Sequence, residues 1–565
     1  MNKLQFRIVT ILLLSGCFAS YASFDKTRMI GDQDIFQEYY SLLAELANEP
    51  TDAQISGLKS YIAQNPAFER PYFQLLEIAL HHQQQKDVKR YFHNLLPDRQ
   101  HRRNCLWALA TLSTMNDSCD VAYELLKNGL REFPASPYYL MQFAETYIRS
   151  SYKNAFESEL SELPLSQADY HLALVFYYRY AGKISLLRNH LDIIKNEELL
   201  SPYILHIQGY LAGLRSDYET ANSFYQQGLE ASRRENDEQF YNQYLFSLGA
   251  LHHSHGKIKQ SIQFCKEALQ RTANINDLSR KILALTLMGS INHARTNYDS
   301  AIEYLKKAEE LALSIKNRSS LGYIYWAMGQ AHLRLNQLAV AAELYDKCTD
   351  FAEQIQDISL LVQIHRSKGQ LYSELALYNM ARHEYEMALS IAEKNMAEAN
   401  NDDIYVRLAL IYQAEGKYKK SQSVLQKAVM ADHLTKDERC YRQFMLADAY
   451  EGAQNYPLAL SAYHKVCEIA GNNQELDYVQ YLKALALTQI GVIETELGNF
   501  AKARSILEQP LLQKMAQQRG AFAIDYFASI GDLYRHCQEL DSAVIYYKKA
   551  TDIIIFLIPC NHIMP

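Results

Sequence analysis

Sliding the chain against itself by 40 residues lines up a column of small residues: Gly209, Gly249, Gly289, Gly329, Gly369 and Ala409. Twelve residues after each stands a second small residue, Ala221, Ser261, Ala301, Ala341, Ala381 and Ser421. Seven further on comes a third column, Gly228, Ala268, Ala308, Cys348, Ala388 and Ala428. Between the last two columns lies a bulkier slot, Tyr225, Cys265, Leu305, Tyr345, Tyr385 and Leu425, and nine residues past the first column stand Tyr218, Ile258, Tyr298, Leu338, Tyr378 and Tyr418. A period of this kind decides the fold before any local reading, because each repeat can bury its apolar face only against its neighbours. The spacing predicts a helical hairpin. Small residues let two antiparallel helices approach, and bulky ones fill the space to the next hairpin. Turns such as His255-Gly256-Lys257 and Glu415-Gly416-Lys417 offer a glycine for the left-handed residue that closes a helix. With 21 glycines and 12 prolines in 565 residues, helix breakers stand at about half their usual share.

Small residues at repeat positions 8, 20 and 27, with aromatic or apolar ones at 17 and 24, are the tetratricopeptide signature, and the chain resembles that family. The resemblance implies an all-α fold, a right-handed α-solenoid of antiparallel helical hairpins forming a TPR superhelix. The pattern continues less regularly through Ala447–Tyr456–Ala459–Tyr463, Gly491–Phe500–Ala503–Leu507 and Gly531–Leu540–Ala543–Tyr547–Ala550. This gives about nine units over 201–550. A further unit is marked by Ala110, Cys119, Ala122, Leu126, Gly129 and Pro134. Residues 34–200 keep helical apolar spacing without a clean period, and read as degenerate TPR-like hairpins that continue the solenoid or cap it. Residues 551–565 form a short apolar tail, Ile553 to Ile558 followed by Pro559, which reads either as a makeshift cap or as a truncation point. Similar 40-residue repeats occur in peptide-sensing regulators and in extracytoplasmic sensor regions of bacterial diguanylate cyclases and histidine kinases.

Residues 1–22 read as an export signal: Lys3 and Arg7, an apolar run from Ile8 to Leu14, then small residues. Leu14-Ser15-Gly16-Cys17 matches a bacterial lipobox, with Cys17 as lipidation site, whereas Ser20-Tyr21-Ala22 suits cleavage after Ala22. Both routes lead to the periplasm or an envelope lipoprotein, with membrane attachment only through a lipid. The formal charge of −7, which becomes −9 without Lys3 and Arg7, and the lack of a basic block with interleaved aromatics exclude nucleic acid as the expected partner. None of the eight cysteines beyond Cys17 forms a close Cys-x-x-Cys pair, and Cys265, Cys348 and Cys537 fall in interior or interhelix slots.

No metalloprotease helix motif, nucleophile elbow or phosphate loop occurs, so neither an enzyme nor a cofactor is expected. His252, His253 and His255 form one histidine cluster that lacks a further ligand in sequence. The resemblance points instead to the concave groove, reached by positions 2, 5, 9 and 12 of each first helix. Those positions hold Gln243, Phe246 and His253, then Thr286 and His293, then Tyr323, Trp326, Gln330 and Leu333, then Gln363, Arg366, Gln370 and Ser373. A polar and aromatic lining with little net charge suits a protein or peptide. Trp326 is the leading anchor, with interhelix packing as its alternative role. The lysine and asparagine of the carboxylate clamp are missing: Phe246 and Ala250, Thr286 and Ser290, Trp326 and Gln330 stand there. Two functions follow: a non-catalytic binding scaffold of the cell envelope, or a ligand-sensing input region separated from its signalling enzyme.

Overall fold

The computed structural model describes residues 33–557, except 117, 134, 153–154, 182, 197–200, 215–216, 235–236, 275–276, 395–401, 431–433, 472–477 and 518–519. The export signal with Cys17, Pro134 and residues 558–565 lie outside the described residues. Among the described residues there are 29 helices and no strand. They pair into fourteen hairpins, the thirteenth with its second helix divided in two. In hairpins seven to ten the first helices begin 40 residues apart, as the repeat demands: Glu238–Ser254, Leu278–Ala294, Arg318–Arg334 and Ile358–Glu374.

The small-residue columns do the work their spacing implies. A Cβ placed on Gly209 would meet the Tyr225 ring at 2.4 Å, and one on Gly329 the Tyr345 ring at 2.4 Å. Gly289 and Leu305 repeat the arrangement at 2.6 Å, so the position-8 glycine is the seat of the bulky position-24 side chain. Where position 24 is only Cys265, the same test at Gly249 finds nothing nearer than 3.2 Å. The turn between the two helices carries a left-handed residue at the same place in successive repeats: Gly256 (φ 71°), Thr296 (61°), Asn336 (58°), Ala376 (56°) and Gly416 (70°). Glycine suits that turn, yet three of five repeats use another residue, so the turn is imposed by hairpin packing.

The chain divides into two compact units, the first spanning 1–375 with 387–399, the second 376–386 with 400–565. In the first unit, the fourth hairpin has a second helix of only six residues, Phe156–Ser161, and the first helices of hairpins four and five, Pro137–Arg149 and Gln167–Tyr180, pack directly on each other. Aromatic rings fill this irregular region, for example Tyr123 against Phe143 (5.2 Å) and Phe156 against Tyr177 (4.5 Å). In the second unit, Thr435 and Glu438 form a capping box at the start of Lys436–Gly452. Pro510 divides the second helix of hairpin thirteen into Phe500–Leu507 and Pro510–Ala516. The last helix, Leu540–Leu557, carries the start of the apolar run: Ile553 is buried in the terminal core, while Ile554 on the other side is 41% exposed.

Candidate binding surface

The first helices of hairpins six to ten are joined to one another by a polar ladder. His206 Nε2 lies 3.0 Å from Ser247 Oγ, and Gln243 Nε2 lies 3.4 Å from the same ring nitrogen. His253 donates from Nε2 to the Ser290 carbonyl at 3.2 Å. The Trp326 indole N–H donates to Ser367 Oγ at 2.9 Å, and Gln330 Nε2 donates to Ser367 Oγ at 3.0 Å and to Tyr345 OH at 2.8 Å. Tyr323 OH donates to Asp357 at 2.5 Å. Apart from Gln330–Tyr345, which lies within hairpin nine, these pairs are 34 to 41 residues apart, about one repeat, so each ties a first helix to the next one or to its cap. Gln243, Phe246, His253, Thr286, Tyr323, Trp326, Gln330 and Leu333 are all buried, and Trp326 keeps 8% of its surface.

A second layer covers part of this face from within the first unit. The first helix of hairpin two, Arg70–His81, lies across the leading edges of hairpins seven to nine. Fully buried Arg70 pairs with Asp237 and also reaches Tyr40 OH, with the Phe36 ring 4.6 Å from its guanidinium. One repeat further, Ser279 Oγ donates to the Glu77 carboxyl, and beyond that His81 Nδ1 lies 2.7 Å from Ser314 Oγ. Seven helical residues rise about 10 Å, close to the spacing of packed helices, which is why Arg70 and Glu77 reach successive repeats. Leu76, Leu80 and Leu112 belong to the same hydrophobic cluster as Ile282, Leu285, Tyr323 and Trp326. This packing was not read from the sequence. Its signal is a fourth column at the same period, Asp237, Asp277, Asn317 and Asp357. Each caps its helix by accepting from the amide three residues on, at 2.9, 2.9, 3.1 and 2.9 Å. Three of them hold a side-chain donor on the second oxygen: Arg70, Arg280 and Tyr323 respectively.

Hairpin ten keeps its first helix more open. Gln363, Arg366, Gln370 and Ser373 are half-buried, and so is His293 in hairpin eight. Gln370 Nε2 donates to Glu374 at 2.9 Å, one turn along its own helix, and Gln363 Oε1 takes no protein donor. The sequence-predicted lining thus divides into a buried set in hairpins seven to nine and an accessible set centred on Ile358–Glu374.

Electrostatics follows burial. Burial pushes His253 and His293 down to about 4, and His252 likewise, with Lys257 adding to the shift at His252. The three neighbouring histidines turn to different partners: His252 to Tyr218 OH and the Phe264 ring, His253 to Ser290, His255 to the Leu251 carbonyl. Among the described residues no three His, Cys, Asp or Glu side chains gather as for a metal. Burial, with Asp277 nearby, raises the Glu77 carboxyl to about 8. The seven described cysteines are free thiols, and burial raises Cys105, Cys265 and Cys348 above their ordinary range. No helix among the described residues is long and apolar enough to cross a membrane.

Against known families, residues 248–442 match the MalT-like TPR region and residues 524–554 match a tetratricopeptide repeat. No curated protein matches the chain. Among solved structures, the apo form of the quorum sensor NprR from B. thuringiensis aligns at 14% identity over 62% of this chain and 97% of its own, with a TM-score of 0.42. A Rap protein complexed with Competence and Sporulation Factor aligns at 12% identity over 65% and 97%, TM-score 0.39. The Cut9–Hcn1 hetero-tetramer of the APC/C aligns at 14% over 81% and 96%, TM-score 0.40. Period, hairpin geometry and family match agree, and the chain is a tetratricopeptide-repeat protein.

Proposed function

We propose that the protein is a non-catalytic scaffold of the bacterial cell envelope that holds a protein or peptide on the first-helix face of hairpin ten. One observation carries this reading. In hairpins seven to nine the equivalent face is occupied by the repeat-to-repeat ladder and by Arg70–His81, whereas Gln363, Arg366 and Gln370 remain half-exposed with an amide oxygen unmet at Gln363. An unmet buried acceptor is costly until a donor arrives, and a peptide N–H is such a donor. The half-exposed Gln370 amide stands about two turns further along the same helix. The buried set, Trp326 and Gln330 included, then holds the platform in shape. The N-terminal signal pattern supports export, with lipidation at Cys17 or cleavage after Ala22 as the two routes.

The test is retrieval of partners from the envelope fraction with the mature chain, wild type against Arg366→Ala combined with Gln370→Ala. Both residues are half-exposed, so the variant should fold normally. Loss of a specific partner is the expected result. Retention of every wild-type partner would remove hairpin ten as the binding face.

A further inference from the structure

Hairpin five pairs helix Gln167–Tyr180 with helix Ile184–Ile194, and one histidine from each meets its counterpart across the seam. His171 Nδ1 lies 3.0 Å from His190 Nδ1, with the ring centroids 5.2 Å apart. Both side chains are half-buried, so the pair keeps a side open to water. Aromatic neighbours hold the imidazoles in place. His190 stacks on Tyr178 at 5.5 Å, Tyr170 stands edge-on to His171 at 5.5 Å, and Tyr178 OH donates to Glu157. Burial, and then the His171 ring, hold His190 below its ordinary range against the pull of Glu157, so His190 is neutral at pH 7.

A contact between two ring nitrogens requires unlike tautomers: one Nδ1 carries a proton and the other offers a lone pair. Among the described residues neither Nε2 has a protein partner, so either imidazole can carry its proton there instead. With both protons on Nε2, two lone pairs stand 3.0 Å apart, an arrangement that a cation stabilises. The separation selects the geometry. Two nitrogens about 2.1 Å from one ion lie about 3.0 Å apart at a right angle and about 3.4 Å apart in a tetrahedron. The pair therefore matches adjacent corners of a square-planar or octahedral ion, as Cu²⁺ and Ni²⁺ prefer, better than tetrahedral Zn²⁺.

We infer that His171 and His190 bind one divalent ion of the Cu²⁺ or Ni²⁺ type through both Nδ1 atoms, with water at the remaining positions. No proton is released at neutral pH, because the displaced one stays on its imidazole at Nε2. Glu157 is held by Tyr178 and adds negative charge nearby without ligating, in keeping with the absence of any three-ligand cluster among the described residues. Two protein donors make an open, exchangeable site, unlike the closed four-ligand sites that hold a fold together. The site lies in hairpin five and stands or falls without the binding face on hairpin ten.

The experiment is calorimetric titration of the full mature chain with Cu²⁺, Ni²⁺ and Zn²⁺ salts, in glycine buffer to suppress weak sites, together with electron paramagnetic resonance of the Cu²⁺-loaded chain. A single stoichiometric Cu²⁺ site is expected, with Cu²⁺ bound most tightly, Ni²⁺ more tightly than Zn²⁺, and a spectrum coupled to a pair of imidazole nitrogens. His171→Gln and His190→Gln should each weaken Cu²⁺ binding at least about tenfold and leave a single coupled nitrogen. Both positions are half-buried, so the metal-free melting temperatures should stay near that of the wild type. Should one variant fail to fold, the other and the nitrogen coupling of the wild-type chain still decide. Absence of a stoichiometric Cu²⁺ site overturns the inference. Equal Cu²⁺ affinity in the wild type and both variants also overturns it, leaving only an adventitious ion among the other histidines of the 18 in the chain. Zn²⁺ bound more tightly than Ni²⁺ would overturn the right-angled geometry on which the inference rests.

Discussion

At the scale of single residues, the 40-residue period is a packing code with readable consequences. Gly329→Ala would press a methyl group to 2.4 Å from the Tyr345 ring, and Gly249→Ala would meet only Cys265 and Leu287 at 3.2 Å. The first should cost about 1–3 kcal/mol by overpacking. The second should be near neutral, since the helix-propensity gain of about 1 kcal/mol offsets a mild crowding. Thermal denaturation of the two variants side by side checks this, and equal losses would mean that the seats do not differ. Thr296 holds φ 61° in a turn where two sister repeats use glycine. Thr296→Gly should therefore stabilise by about 1 kcal/mol, a rise in midpoint readable in the same assay. Gly249, Gly329 and their partners were legible in the sequence because small and bulky columns recur, whereas Thr296 was not, since only the sister turns at Gly256 and Gly416 carry a glycine. The Trp326 environment was not, because position 5 of a first helix faces both the groove and the next repeat, and only the placement of Ser367 decides between them.

At the scale of elements, the contact of Arg70–His81 with hairpins seven to nine is the feature that periodicity could not reveal. It joins residues 167 and 202 positions apart, and neither partner lies in a repeat of the other's regularity. Asp237→Ala removes both a helix cap and the partner of a fully buried guanidinium, and should cost about 3–5 kcal/mol. Asn317→Ala, which removes a cap alone, should cost about 1 kcal/mol. Comparable losses would show that the Arg70 pair is not desolvated. Glu77 supplies a pH test of the same contact. Its carboxyl is raised from an ordinary 4.5 to about 8, so the unfolded chain ionises first and stability is lost as pH rises across that interval. Glu77→Gln should flatten this loss and be relatively more stable at pH 8 than at pH 5. A Glu77→Gln variant that follows the wild-type pH dependence between 6.5 and 8, above the range in which the buried histidines act, would contradict the burial of that carboxyl.

At the scale of the whole molecule, the all-helical hairpin array was legible in the sequence, most clearly where the 40-residue period is strict, between Gly209 and Ala428. Residues 34–200 gave helices but not their partners, because irregular aromatic packing such as Tyr123 on Phe143 leaves no period to follow. The open face on hairpin ten was also hidden, because exposure depends on which neighbours cover a helix. Acid should destabilise the first unit as a whole. His253 and His293 stay neutral down to about 4 while the unfolded chain protonates near 6.5, so stability is lost as pH falls between those values. His253→Gln should lessen the acid-side slope of a pH series of melting curves. The most direct test of the binding role is site-specific photocrosslinking in living cells, with a photoreactive residue at Gln370 and, as a control, at Val340, which is 42% exposed on the second helix of hairpin nine. The expected result is a discrete crosslinked partner from Gln370 and none from Val340. Crosslinks from Val340 alone, or from neither position in cells that make the protein normally, would contradict a scaffold that works through its first-helix face.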